Sequence, residues 1–454
     1  MAESRGLDPQ PPDEPTAADV ELLVGFARAG HAAGYPTADL EERLLAIARH
    51  LGLEGAQVSS TPTLLDVSFG RIPYQRTFTL RVNPGSVDLD AIARLDDLVG
   101  ELLAGRVDSP TASEKLAEIR ALPLRRRWFV WLGAYALAGA AVTPVLGGHW
   151  RELAGGAVVG LIVGVIAVLA RRLSRADPIV APLAAVAASF AAVALAKAGL
   201  DASPDIVTLA ALVTFLPGMT LTIGMRELAT QHLQSGVANS ANALVQLLGL
   251  VFGVGVGRSI AVNWFGLVHQ STPHTGFGDM HLVAAVAAGL AFTVTLRAPT
   301  RSAPAMCSAT LLAILANAAG KALFGAVAGV FVSALALGLV GNALGARFRR
   351  SPLVFIVPGV LMLVPGSAGF NSVLKLLTGQ TVTGVDAGFN TFVTAMSIAY
   401  GLMISTLVVG SRLAPDDRPE ASSIPGDALR DGPDDDSADP DEPRARSLRR
   451  KETA

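Results

Sequence analysis

Charged side chains are scarce in this chain. Only 16% of its 454 residues are Asp, Glu, Lys or Arg, while 51% are apolar. With a mean hydropathy of +0.47, that balance lies outside the soluble globular range and excludes a chain folded wholly in water. Cysteine is nearly absent: the single Cys307 rules out an intramolecular disulfide and a cysteine-based metal site, and its apolar setting reads as a small buried residue. Seven scattered histidines lack ligand spacing, so no metal centre is expected. Catalytic and nucleotide signatures are missing too. Gly320-Lys321 is followed by Ala322 rather than Ser or Thr, and no glycine stands five residues before Gly320, so there is no phosphate-binding loop. Neither GxSxG nor HExxH occurs. An enzyme, a bound cofactor and a nucleic-acid partner are accordingly not expected.

What charge there is sits at the ends. A net charge of -2 hides acidic first and last segments around a middle with few ionisable groups. The segment 1–25 is rich in Pro and acid and lacks a basic stretch leading into an apolar one, which argues against a cleavable signal peptide. The expected order is a disordered leader (1–17), a soluble cytoplasmic α/β domain (18–122), a first membrane repeat (123–280), a second (281–412) and a disordered acidic tail (413–454). Within 18–122, helical periodicity marks Asp19–Ala33, a second helix from Thr37, Asp88–Ala104 and Thr111–Ala121. Runs rich in β-branched and aromatic residues mark strands at Ala56–Ser60, Thr63–Phe69 and Arg76–Val82, with Gly70 and Pro73 at a turn. Asp39, Glu41 and Glu42 read as helix capping and a solvated face.

From Phe129 onward about ten apolar runs approach the roughly 20 residues a bilayer requires. The fourth is Ile206–Met225, the fifth Gly236–Gly257, the sixth His281–Leu296, the ninth Pro352–Gly366 and the tenth Gly388–Gly410. Thirteen arginines from Arg125 to Arg412 fall on one side, against Arg151, Lys197, Arg258, Lys321 and Lys375 on the other. This bias places both termini in the cytoplasm of a multi-pass plasma-membrane protein. Gly156, Gly160 and Gly164, Gly249, Gly253 and Gly257, and Gly325 with Gly329 read as close helix contacts.

An internal repeat points to transport. Pro217-Gly218 in the fourth run has a counterpart at Pro358-Gly359 in the ninth. Ser235-Gly236 and Asn239 then correspond to Thr378-Gly379 and Asn390. The copies lie five runs apart, so the halves are expected as inverted five-helix repeats with helices broken at these Pro-Gly pairs. Pro365-Gly366 is a second such pair. Candidate substrate contacts are Pro217, Gly218, Thr220, Thr222, Asn239, Asn242, Gln246, Pro358, Gly359, Pro365, Gly366, Asn371 and Asn390, because polar groups in lipid are costly and tend to face a bundle interior. Asn239, Asn242 and Gln246 share one helix face. Arg226, Glu227, Lys321 and Asp386 are candidates for gating or proton coupling.

Several of these segments resemble the threonine/serine exporters, from about residue 20 to 410. Gly34, Thr37, Leu40 and Glu41 resemble that family's N-terminal segment, and Thr61-Pro62-Thr63 with Val67-Ser68-Phe69 its strand motif. Leu216-Pro217-Gly218, Arg226-Glu227, Ser235-Gly236 and Val364-Pro365-Gly366-Ser367-Ala368-Gly369 resemble its membrane signatures. The chain departs at Tyr35, Pro36 and Asp39, where the family pattern has Ala, Glu and a basic residue. The resemblance implies a ten-helix secondary exporter of threonine and serine driven by the proton-motive force. Its partners would be the amino acid, protons and lipid, and a homo-oligomer is compatible with the sequence. A dicarboxylate exporter of the same fold is the alternative and would need cationic groups such as Arg226, Arg258 or Lys321.

Overall fold

The computed structural model describes residues 16–71, 74–82, 87–121, 128–170, 177–266, 280–348, 351–363 and 365–413. The expected leader through residue 15, the turn at Pro73, the arginines at 125–127, 171, 172, 175, 349 and 350, Val364, and the acidic tail beyond 413 lie outside them. The chain forms one compact unit to Ser411, and the unit from Arg412 onward lies almost entirely outside the described residues.

The N-terminal segment runs α1 (Ala17–Ala32), α2 (Thr37–His50), β1 (Gln57–Ser60), β2 (Leu64–Phe69), β3 (Arg76–Arg81), α3 (Leu89–Leu103) and α4 (Ser109–Ala121), close to the bounds read from the sequence. Thr16 and Asp19 cap α1 reciprocally, and the Asp88 carboxylate caps α3 by accepting from the Ala91 amide at 3.0 Å. The strands form an antiparallel sheet in the order β1-β2-β3. Alternation along β2 buries Leu65, Val67 and Phe69 against Leu22, Phe26, Leu44 and Ile92 of the helices. Tyr35 donates to Asp96 Oδ1 at 2.6 Å, and the Arg43 guanidinium, also paired with Asp96, lies 4.9 Å from the Tyr35 ring centre. Burial, then the Asp96 charge, pushes the phenol well above its ordinary range, so Tyr35 remains a donor.

The rest is helical: α5 (Trp128–Val142), α6 (Trp150–Ala170), α7 (Asp177–Lys197), α8 (Pro204–Ala211), α9 (Gly218–Ala229), α10 (Leu233–Phe265), α11 (Met280–Thr295), α12 (Ala303–Phe324), α13 (Ala326–Phe348), α14 (Leu353–Leu363), α15 (Pro365–Leu377) and α16 (Thr381–Leu413). Among the described residues, eight helical stretches are long and apolar enough to cross a membrane, and α8 with α9, bent by 50°, makes a ninth. The sixth apolar run appears as α11, whose 16 residues fall short of that length. This is a multi-pass membrane helical bundle.

Glycine lets the helices touch. An added Cβ at Gly257 would sit inside the Val186 carbonyl oxygen, one at Gly160 would lie 2.6 Å from the Tyr135 carbonyl oxygen, and one at Gly156 would lie 2.7 Å from that of Gly139. Gly325 departs from the expected contact ladder. It has φ +90° and open space around it, so it turns the chain between α12 and α13, and only Gly329 packs, against the Asn317 carbonyl. Cys307 is partly exposed rather than buried and lies against α11, its backbone close to Gly289.

The N-terminal segment is bolted to this bundle at two places. Arg226 of α9 pairs with Asp39 at 2.9 Å, His232 lies 3.3 Å from Glu41, and the Ser235 hydroxyl donates to the Ser60 carbonyl at 2.6 Å. Glu41 also accepts from the Ser60 amide at 2.7 Å. On the far side, Arg297 pairs with Asp88 at 3.0 Å and the Leu89 amide donates to the Leu296 carbonyl at 3.0 Å. Asp39 and Glu41 are therefore docking groups and not a solvated face. The departure from the family pattern at Asp39 has a local reason, because that carboxylate answers a cation of the membrane helices.

Packing and docking can each be tested. Gly257→Val should lower the thermal midpoint of the solubilised protein through about 1–3 kcal/mol of overpacking, whereas Gly255→Ala, with open space at its Cβ, should not. Asp39→Asn should loosen α2 and β1 by about 1–3 kcal/mol, between an exposed and a fully buried pair, read as faster amide exchange there. Glu41 is held above the usual carboxylate range, first by burial, against the opposing Ser60 and His232 contacts. A carboxyl whose pKa rises on docking favours docking in acid and loses that contribution as pH climbs through the raised value. Protection of α2 and β1 should then fall as pH rises above the ordinary carboxyl value of 4.5, and the fall should flatten in Glu41→Gln.

Candidate functional site

A proline inside a membrane helix removes one backbone donor and crowds the preceding turn. At Pro217 the consequence is complete: α8 ends at Ala211, a short 3-10 turn covers Val213–Phe215, Leu216 is extended, and α9 starts afresh at Gly218. The Gln246 amide of α10 donates to the freed Phe215 carbonyl at 3.1 Å. Thr222 turns its hydroxyl back onto the Gly218 carbonyl at 2.9 Å, while the Thr214 hydroxyl is buried without a partner among the described residues.

Pro358-Gly359, expected as a second break, does not interrupt its helix. Pro358 lies inside the continuous α14, and an added Cβ at Gly359 would meet the Leu337 side chain of α13 at 3.1 Å or closer, so this pair serves packing. Val364 lies outside the described residues, and Leu353–Leu377 counts as one apolar stretch long enough to cross a membrane. Local geometry recurs at the longer step from Pro217 to Pro365, not at the step to Pro358 read from the sequence. Helix α10 spans 33 residues from Leu233 and α16 spans 33 residues from Thr381. An added Cβ at Gly236 meets Leu228 Cγ at 2.7 Å, and one at Gly384 meets Leu376 Cγ at 2.8 Å. Thr230 bonds the Arg226 and Glu227 carbonyls as Thr378 bonds those of Leu374 and Lys375. The tight turn between half-helix and long helix needs a left-handed residue, which is Gln231 at φ 67° in one copy and Gly379 at φ 81° in the other. Ser235-Gly236 therefore corresponds to Thr383-Gly384, and Asn242 rather than Asn239 corresponds to Asn390.

The Pro217 break crosses α15 at Gly366. A Cβ at Gly366 would lie 3.1 Å from the Gly218 amide nitrogen and 3.0 Å from Leu216 Cβ. The amino end of α9, with amides that lack helical acceptors and the positive end of the helix dipole, thus opens beside α15. Beyond this point, Glu227 is 2% exposed. Its Oε2 accepts from the Asn239 amide at 2.7 Å, and its Oε1 has no partner among the described residues.

The structure thus gathers Pro217, Gly218, Thr222, Gln246, Pro365 and Gly366 around the crossing, with Thr220 half-buried on the first turn of α9, and places Asn239 with Glu227. Asn242, Asn371, Asn390, Lys321 and Asp386 are exposed side chains, and Arg226 is committed to Asp39. Sequence reasoning passed over two groups. Thr214 stands three residues before the break, a position its distance from Pro217 already marks. Lys375 occupies the place of Glu227 at the Pro217-to-Pro365 step, which is visible only once the register is known.

A family profile described as "Putative threonine/serine exporter" matches residues 21–261, and one described as "Threonine/Serine exporter, ThrE" matches 280–408. A protein of Mycobacterium tuberculosis named "Probable threonine/serine exporter" is 29% identical over 95% of this chain and 82% of its own length. The "Threonine/serine exporter" of Corynebacterium glutamicum is 23% identical over 82% of this chain and 78% of its own. A fungal relative, the "Pheromone-regulated membrane protein 10" of Candida albicans, is 26% identical over 58% of this chain and 24% of its own length. No solved structure matches. With one profile covering more than half of the chain and a second taking up most of the remainder, this protein belongs to the threonine/serine exporter family, whose members are membrane transporters and not enzymes.

Proposed function

We propose that this chain exports threonine and serine across the plasma membrane as a proton-driven secondary transporter. Its binding site would be the α8–α9 break, where it crosses α15. The observation that carries this reading is the contact of Gly366 with Gly218. A zwitterion leaving water needs partners for carboxylate and ammonium at once. The amino end of α9 supplies amides for the carboxylate, and backbone carbonyls of the interrupted stretch before it supply acceptors for the ammonium. The buried, unpartnered Thr214 hydroxyl, with Thr220 nearby in sequence, is the group proposed to meet the substrate hydroxyl.

The recurrence of local geometry at the Pro217-to-Pro365 step, a shift of five spans, supports two inverted five-helix repeats, 123–280 and 281–412. The N-terminal α/β domain, 18–122, would lie in the cytoplasm with both termini. Glu227, buried and half satisfied, is proposed to take the coupling proton, and the cation at the equivalent Lys375 makes the two halves electrostatically unlike. A dicarboxylate cargo gains no support from the matched families, and of the cations it would need, Arg226 is paired with Asp39 and Arg258 with Asp205.

Efflux from cells loaded with threonine dipeptides tests the proposal. At equal protein levels, Gly218→Leu and Gly366→Leu should abolish threonine efflux, and a protonophore should do the same to the wild type. Thr214→Val should reduce threonine and serine efflux about tenfold, one hydrogen bond's worth, while sparing alanine. Wild-type threonine efflux in all three variants would place the site elsewhere.

A further inference from the structure

Apart from the break at Pro217, a cavity of about 780 Å³ opens where the N-terminal segment meets the bundle, a volume typical of small-molecule sites. Its walls come from α1, the start of α3, the end of α4 and the turn between α11 and α12. Trp131 of α5 and Ala298 form apolar parts of the lining. Five arginines face it and only two carboxylates do.

Both carboxylates are already engaged. Asp88 holds Arg297 at 3.0 Å and caps α3, and Asp90 holds Arg94 at 3.1 Å. Arg28, Arg120 and Arg301 bring three further guanidinium groups to the same cavity, and the structure gives them no ion pair among the described residues. Like charges gathered around one hollow repel unless an anion joins them. Guanidinium forks match phosphate oxygens two at a time, and a phosphate is the anion that several arginines satisfy together. The level of the cavity also matters: Arg301 stands at the start of the span that begins at Thr300, and Trp131 lies in the first turn of α5. A lipid phosphate reaches that level from the bilayer, and a soluble phosphate ester reaches it from water.

We propose that this arginine-lined cavity is a binding site for a phosphate-bearing anion, and that the bound anion ties the N-terminal segment to the bundle. The cavity shares no lining residue with the break at Pro217, so the inference stands apart from the transport reading.

The test uses the full chain in nanodiscs. In neutral phosphatidylcholine discs, titration with pyrophosphate should raise the thermal midpoint and protect α1 and α3 from amide exchange. Replacing part of the lipid by phosphatidylglycerol tests the other source. Arg28→Gln with Arg301→Gln, both exposed and without an ion pair among the described residues, should weaken the response on the order of tenfold or more, whereas Arg81→Gln on β3 should leave it unchanged. If the double variant is misfolded by size exclusion, Arg120→Gln replaces it. A response to pyrophosphate identifies a soluble ligand, and a response to phosphatidylglycerol alone identifies a headgroup. No response in the wild type, or an equal response in the double variant, overturns the proposal.

Discussion

Inside a bilayer no water answers a loose amide or carbonyl, so a helix broken there has to be completed by other parts of the protein. The arrangement around Pro217 meets that requirement. The Phe215 carbonyl is taken by Gln246, the Gly218 carbonyl by Thr222, and the start of α9 is laid against Gly366 of α15. Glycine at 366 eases this approach, since a side chain there would meet the Gly218 amide nitrogen at 3.1 Å. What stays unsatisfied is equally informative. The Thr214 hydroxyl and one oxygen of Glu227 are buried without partners among the described residues, and such groups cost about 1–3 kcal/mol or more when nothing binds them.

Holding a broken helix against its neighbour demands stiff surroundings. The flanking helices achieve this with glycine contacts at which one backbone rests on another, as Gly257 rests on Val186 and Gly156 on Gly139. The N-terminal segment adds a second constraint by gripping the turn between α9 and α10 through Asp39, Glu41 and Ser60. A helix that carries the break is thereby tied to a segment far earlier in the chain. Movement of that half-helix and movement of the N-terminal segment are mechanically linked through one partly buried ion pair and one buried hydrogen bond.

Much of this was readable from residue order, because the signals are local. Apolar length, helical periodicity and β-branched runs depend on neighbours a few positions apart, and they placed the strands, the helices and the break at Pro217 close to where they lie. A recurrence was readable as well, from the Pro-Gly pairs. Which pair matched which was not: Pro358 and Pro365 are equally good counterparts by composition, and the choice rests on what each touches. Pro358-Gly359 packs against Leu337 within a continuous helix, whereas Gly366 is the glycine that meets the break at Pro217. Asn239 shows the same limit. Its helix face was evident from spacing, but its partner Glu227 sits on another helix, and that pairing exists only after α9 folds against α10. The sequence by itself determined a membrane bundle with a helix broken at Pro217, since hydrophobic length and proline act locally. The tertiary structure alone decided what that break meets, which carboxylates dock and which polar groups stay free, because each depends on contacts between segments far apart in the chain.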